Sequence, residues 1–254
     1  MIQPPADLLA LFGAERGIVC AIGAGGKKTT IYRLAATHAG RVAVTATVAT
    51  PAYPAELGLT LAIAPPEDIA DRADAIADAT RIGLACPHER ADRLAGLPPA
   101  TVTAVHRQTG RDLTLVKADG ARMRWLKAPA AGEPVLPPGT DTVIVLTAAR
   151  CLGEPLTGRV AHRLDRVLEV TGAAAGDPVT PTLLARLYTA PGGLLTGLGA
   201  VRIVPTINMV DDEARHAAAK DAARRILRST PDVPRVILAC MKRTNDPIVE
   251  VIER

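Results

Sequence analysis

Eight short apolar runs recur along the chain, at residues 17–22, 41–45, 59–64, 81–85, 113–118, 142–146, 201–207 and 235–240. Most are rich in Val and Ile and nearly unbroken, with little of the alternation that marks a strand wetted on one side. Strands of that kind need cover on both faces, and parallel sheets flanked by helices supply it. Helical spacing fills several of the gaps. Ile69, Ala73 and Ile76 share a face after Pro65-Pro66-Glu67, as do Val160, Leu164, Val167 and Leu168, and a further helix is expected from Asp211 toward Leu227. The expected class is therefore α/β, a mostly parallel sheet with helices on both faces. A single domain over residues 1–254 is expected, with Pro/Gly-rich loops at about 127–141 and 189–199 as candidate site walls.

The first run ends in VCAIGAGGKKTTI, residues 19–31. Glycines between a strand and a helix let backbone N–H groups surround an oxyanion, while the helix N-terminus adds its dipole. A lysine then reaches the phosphates and a hydroxyl reaches Mg²⁺. Gly23, Gly25, Gly26, Lys27, Lys28, Thr29 and Thr30 are thus the candidate nucleotide-binding residues. Neither lysine satisfies the GxxxxGK[ST] spacing. With Lys27 as the phosphate lysine, Gly26 precedes it but Lys28 takes the hydroxyl position. With Lys28, Thr29 supplies the hydroxyl but Lys27 displaces the glycine. Losing a metal ligand outright is the larger defect, so the reading leans to Lys28 with Thr29, leaving Lys27 as an extra cation.

Asp119 follows the run at 113–118, where an acid would hold Mg²⁺ in a phosphoryl-transfer site. Asp119-Gly120 is equally a common turn. Thr45 and Thr47 close the second run on the edge where α/β sheets bind ligands, and plain strand patterning places them there as well. Asn208 and Asp211 have the NxxD spacing of guanine readers, although Met209 stands where those proteins carry lysine. Asp211-Asp212-Glu213 also suits a helix start.

Composition excludes other partners. Aromatic residues are 2% of the chain, too few for a nucleic-acid stacking platform, and the cations behind the net charge of +4 are scattered. No window has the length of apolar sequence that a membrane span requires, and a cytoplasmic protein is expected. Cys20, Cys86, Cys151 and Cys240 form no CxxC pair, which predicts buried reduced thiols.

The segment LVKADGARMRWLKAPAAGEPVLPPGTDTVIVL at 115–146, with GEPL at 153–156, HR at 162–163, GG at 192–193 and INMVD at 207–211, resembles the YqeC family of selenium-dependent molybdenum hydroxylase accessory proteins. The resemblance implies a P-loop NTPase-like fold, ATP or GTP with Mg²⁺, and a role in maturing a selenium- or molybdenum-containing hydroxylase cofactor. Its implied partners are a molybdenum hydroxylase or the proteins that mature its cofactor. It lifts Arg122, Lys127, Glu133, His162 and Arg163 to candidate substrate residues, beside Thr45 and Thr47, with His162 and Arg163 expected on a helix. The chain departs from the family's pattern in its doubled lysine, in Lys117 where Glu is usual, and in Thr45-Ala46-Thr47 where threonines run consecutively. Two functions follow: a slow NTPase or kinase-like enzyme with Lys28 and Asp119 as catalytic groups, or a non-hydrolysing carrier or scaffold for a phosphorylated cofactor or partner.

Overall fold

In the computed structural model, which describes residues 7–254, nine strands form one sheet. In chain order they are β1 Gly17–Gly23, β2 Val42–Ala46, β3 Thr60–Ile63, β4 Arg81–Ala85, β5 Leu113–Lys117, β6 Thr142–Ala148, β7 Arg202–Asn208, β8 Arg235–Ala239 and β9 Ile248–Glu253. Their spatial order is β9-β8-β7-β6-β1-β5-β2-β4-β3, and only the β8–β9 pairing is antiparallel. The α/β class and the largely parallel sheet are as the apolar runs predict. Residues 1–6 of the expected domain lie outside the described residues.

Among the described residues seven α-helices accompany the sheet: α1 Leu8–Phe12, α2 Lys27–Thr37, α3 Ile69–Asp74, α4 Pro99–Gln108, α5 Leu164–Thr171, α6 Pro181–Thr189 and α7 Glu213–Ser229. The unbroken apolar character of β1 is explained by cover on both sides. Val19 and Ala21 pack with Phe12, Ile31 and Leu34 of α1 and α2. Ile18, Cys20 and Ile22 join the larger cluster that includes Val102, Val167, Leu184 and Ile226 of α4 to α7. The sheet grows outward from β1, with β2 to β5 on one flank and β6 to β9 on the other, so the strand order reverses beside β1, where α/β sheets place ligands at the carboxyl ends.

One helix expectation is corrected. His162 and Arg163 are not helical: Ala161–His162 pairs in parallel with Leu126–Lys127, and Arg163 turns left-handed (φ 58°, ψ 64°) as the N-cap before α5. Val160 lies outside the helix as well. The helix expected from Asp211 begins at Glu213, with the Asp212 carboxylate accepting from the Arg215 N–H. The four cysteines are buried and free. Among the described residues no helix is long and apolar enough to cross a membrane.

Candidate anion-binding site

The turn from β1 into α2 requires its glycines for different reasons. Gly23 (φ +87°) lies against β6, and a Cβ there would stand 2.1 Å from the Leu146 carbonyl oxygen. A Cβ on Gly25 (φ +78°) would meet the Ala148 nitrogen at 2.6 Å. Gly26 (φ +117°), the N-cap of α2, leaves room for the Asn208 amide, which a Cβ would approach to 2.2 Å. The Asn208 Nδ2 group donates to the Gly25 carbonyl at 2.8 Å, and its Oδ1 accepts from the Met241 N–H at 3.0 Å. Asn208 is thus spent on clamping the loop to the end of β8.

No side chain caps α2. Among the described residues, none of the N–H groups from Gly25 to Thr29 has a hydrogen-bond partner. Unpaired amides at a helix start carry partial positive charge and can donate to an anion.

Lys27, the first helical residue, is 6% exposed and folds back over the loop to the Gly23 carbonyl and to Asp119. Burial holds its ammonium below the ordinary lysine value, and the Asp119 charge opposes that effect. Asp119 is 2% exposed at the end of β5. Its Oδ2 accepts from the Gly23 N–H at 2.7 Å and lies 2.9 Å from Lys127 Nζ. Its Oδ1 lies 2.9 Å from Lys27 Nζ, off hydrogen-bonding angle, and is the only buried side-chain oxygen among the described residues without a hydrogen bond.

Lys127, fully buried, also reaches Glu133 at 2.6 Å and donates to the Gly120 carbonyl at 3.0 Å. Glu133 in turn accepts a two-pronged pair from Arg163 at 2.8 and 2.9 Å. Burial pushes the Glu133 carboxyl up, but the hydrogen bonds from Arg163 and Lys127 outweigh it and bring it to about 2. Lys27, Asp119, Lys127, Glu133 and Arg163 therefore form one chain of alternating charge. Beside it stands Lys117, whose pKa is lowered to about 8 by burial and by the charges of Lys27, Arg93 and Lys28, against the pull of Asp119.

The expected residues thus divide. Gly23, Gly25, Gly26, Lys27, Asp119, Lys127, Glu133 and Arg163 converge, with Asn208 beneath the loop. Lys28 is half-buried in the first turn, and it is Lys27 that meets Asp119. Thr29 lines a separate hollow with Tyr32, Arg33 and Met241, while the Thr30 hydroxyl donates to the Gly26 carbonyl. The Thr45 hydroxyl is buried against the Leu84 carbonyl, and that of Thr47 pins the Pro-rich loop through Val135. Arg122 is exposed. His162 sits beside Lys127 in the short ladder, held below the ordinary histidine value by burial and by Arg163, Lys127 and Arg122. Asp211 is engaged by Arg150, Arg215 and the Cys240 thiol. Lys117 and Arg93 had no site signal beyond the family mismatch at Lys117, since folding alone brings their charges together.

Three comparisons bear on this arrangement. The YqeC protein family's sequence model matches residues 19–165, more than half of the chain. A curated Escherichia coli (strain K12) protein, named as an uncharacterized protein YqeC, is 28% identical over 101 residues. That match covers 40% of this chain and 40% of the relative's length. No solved structure matches.

Proposed function

The chain belongs to the YqeC family, and on that premise we propose that it binds the phosphates of a nucleotide, ATP or GTP, on the turn between β1 and α2. One observation supports this reading: the five consecutive amides from Gly25 to Thr29, at the start of α2, have no hydrogen-bond partner among the described residues, next to a buried lysine paired with Asp119. In this reading Lys27 leaves Asp119 for the incoming phosphate, trading one anion for another within reach of the same side chain. Lys28 and Lys117 add charge at the mouth. An anion there also relieves the mutual repulsion that lowers Lys117, so binding and protonation support each other.

The residues fit a Mg²⁺ ion brought in by the phosphates. Such ions keep several waters and use one or two carboxylates, and Asp119 Oδ1, whose contact is the ion pair with Lys27, would be freed as that lysine moves to the phosphate. The ion would supply charge neutralisation on the phosphoryl oxygens. The chain's own residues do the rest: the amides orient the anion, Lys27 and Lys28 hold it, and the Gly23 N–H with Lys127 keeps Asp119 aimed. We propose the maturation of a selenium- or molybdenum-containing hydroxylase cofactor as the setting, a reading supported by family membership and the motifs from 115 to 163.

A second reading, a non-hydrolysing carrier or scaffold, is favoured by Lys28 in the hydroxyl position after Gly26-Lys27 and by Lys117 beside the site. Thermal shift with ATP, GTP and tripolyphosphate, with and without Mg²⁺, tests the shared claim. Stabilisation should appear in the natural chain and vanish in Lys27→Ala. No stabilisation at millimolar ligand would end the proposal, and phosphate release measured alongside separates the two readings.

A further inference from the structure

Four stretches that the nucleotide reading leaves without a ligand, LKAP, EP, HR and GG, meet around a hollow of about 560 Å³. That volume is in the range of small-molecule pockets. Pro129 and Ala130 form an apolar wall, Glu133, Arg163 and Arg166 a charged one, and Gly192 closes the side.

The charged wall is built in place. Arg163 is fixed by both Glu133 oxygens, and Glu133 by Lys127, so the guanidinium is held before any ligand arrives. Its Nε takes no partner among the described residues. Arg166 donates through Nε to the Pro129 carbonyl and pairs with Glu169, leaving its other terminal nitrogen against Gly192. A Cβ on Gly192 would stand 2.5 Å from that nitrogen, and one on Gly193 would meet the Leu187 and Ala190 carbonyls at 2.6 and 2.8 Å. The paired glycines therefore allow the 190s turn to close onto Arg166.

Two guanidiniums and one carboxylate line the hollow, Arg163 and Arg166 against Glu133. Behind them Lys127 is shared by Glu133 and Asp119, and burial with the charges of Arg163, Lys127 and Arg122 holds His162 below its ordinary value. Two guanidiniums on one wall suit an oxyanion with three acceptor oxygens, since planar forks bind phosphate through several donors at once. A carboxylate has only two oxygens to share between them. The unbranched apolar wall opposite has room for a small organic body.

We propose that this hollow is a second ligand site, distinct from the glycine turn, for a small molecule bearing a phosphate monoester, with Arg163 and Arg166 as its anchors. The site goes beyond the nucleotide reading and does not rest on it.

Calorimetric titration of the full chain with phenyl phosphate tests the site, with benzoate as the carboxylate control. The expected result is one phenyl phosphate site that survives Lys27→Ala, is weakened about tenfold or more by Arg166→Ala, and prefers phenyl phosphate to benzoate. Arg166→Lys keeps the charge and loses the fork, so it should weaken binding too, and it decides the matter if the alanine variant does not fold. Unchanged binding in the Arg166 variants overturns the proposal, as does loss of all binding in Lys27→Ala. Equal affinity for benzoate overturns the ligand class. If ATP fails to stabilise the natural chain while Arg166-dependent binding persists, the nucleotide reading falls and this site stands.

Discussion

Lys127→Met removes the central cation of the buried chain while keeping much of its apolar stem. Lys127 contacts Asp119 at 2.9 Å and Glu133 at 2.6 Å with no exposure of its own. At an effective dielectric of about 20, each contact is roughly 6 kcal/mol of gross Coulomb attraction. Several kcal/mol of desolvation per ion stands against it, so the net cost of breaking such a buried pair is about 3–5 kcal/mol. Part of that cost lies at Glu133. The gap between about 2 and the ordinary 4.5 corresponds to roughly 3 kcal/mol of stability, shared between Arg163 and Lys127, so Lys127→Met forfeits only its share. Because the folded carboxyl is the more acidic, this stability is present above pH 4.5 and is lost as pH falls toward 2. Urea unfolding at pH 7 and at pH 3 reads both effects. Lys127→Met should lose about 3–5 kcal/mol at pH 7 and clearly less at pH 3, where Glu133 is already mostly protonated in the unfolded chain. A loss below about 1 kcal/mol at pH 7, or one equal at both pH values, would show that the chain of charges does not carry this stability.

Two further outcomes follow from the same geometry. Lys117 has a folded pKa of about 8 against 10.5, so the unfolded chain holds the extra proton between those values and the free protein should gain stability as pH rises from 8 to 10.5. Affinity for tripolyphosphate should fall over the rise through pH 8 as Lys117 loses its charge, and Lys117→Met should flatten both profiles; profiles identical to the natural chain's would refute the assignment. Asn208→Ala strands the Gly25 carbonyl and the Met241 N–H, and unfolding measurements should show a loss of about 2–4 kcal/mol with weakened nucleotide stabilisation. A variant as stable as the natural chain would mean the loop is held by its glycines alone.

All eight apolar runs are strands of the sheet, most of them buried, and β3 an edge whose Leu61 and Ile63 are exposed. The ninth, Ile248–Glu253, gives no such run because Glu250 and Glu253 interrupt its apolar residues. Two helices, Pro99–Gln108 and Pro181–Thr189, open with the proline that commonly starts a helix, a signal present in the sequence and not used. The helix expected to include Val160 fails for a reason no local pattern holds: Ala161–His162 is drawn into a ladder with Leu126–Lys127, far away along the chain.

The same limit governs the choice between the two lysines. Motif spacing counts residues, whereas the phase of α2 decides which ammonium faces the loop. That phase begins at Gly26, the one position whose lack of a Cβ admits the amide of Asn208, a partner 183 residues away through Gly25. Side chains in a helix lean toward its N-terminus, so the residue directly after the N-cap folds back over the turn. Lys27 occupies that place and reaches Gly23 and Asp119. Lys28, about 100° further round the axis, leans to a different side. On the proposed reading, the lysine that meets the phosphate is the one directly after the N-cap, and Asn208, which donates to the Gly25 carbonyl, helps to hold the turn in which that N-cap falls.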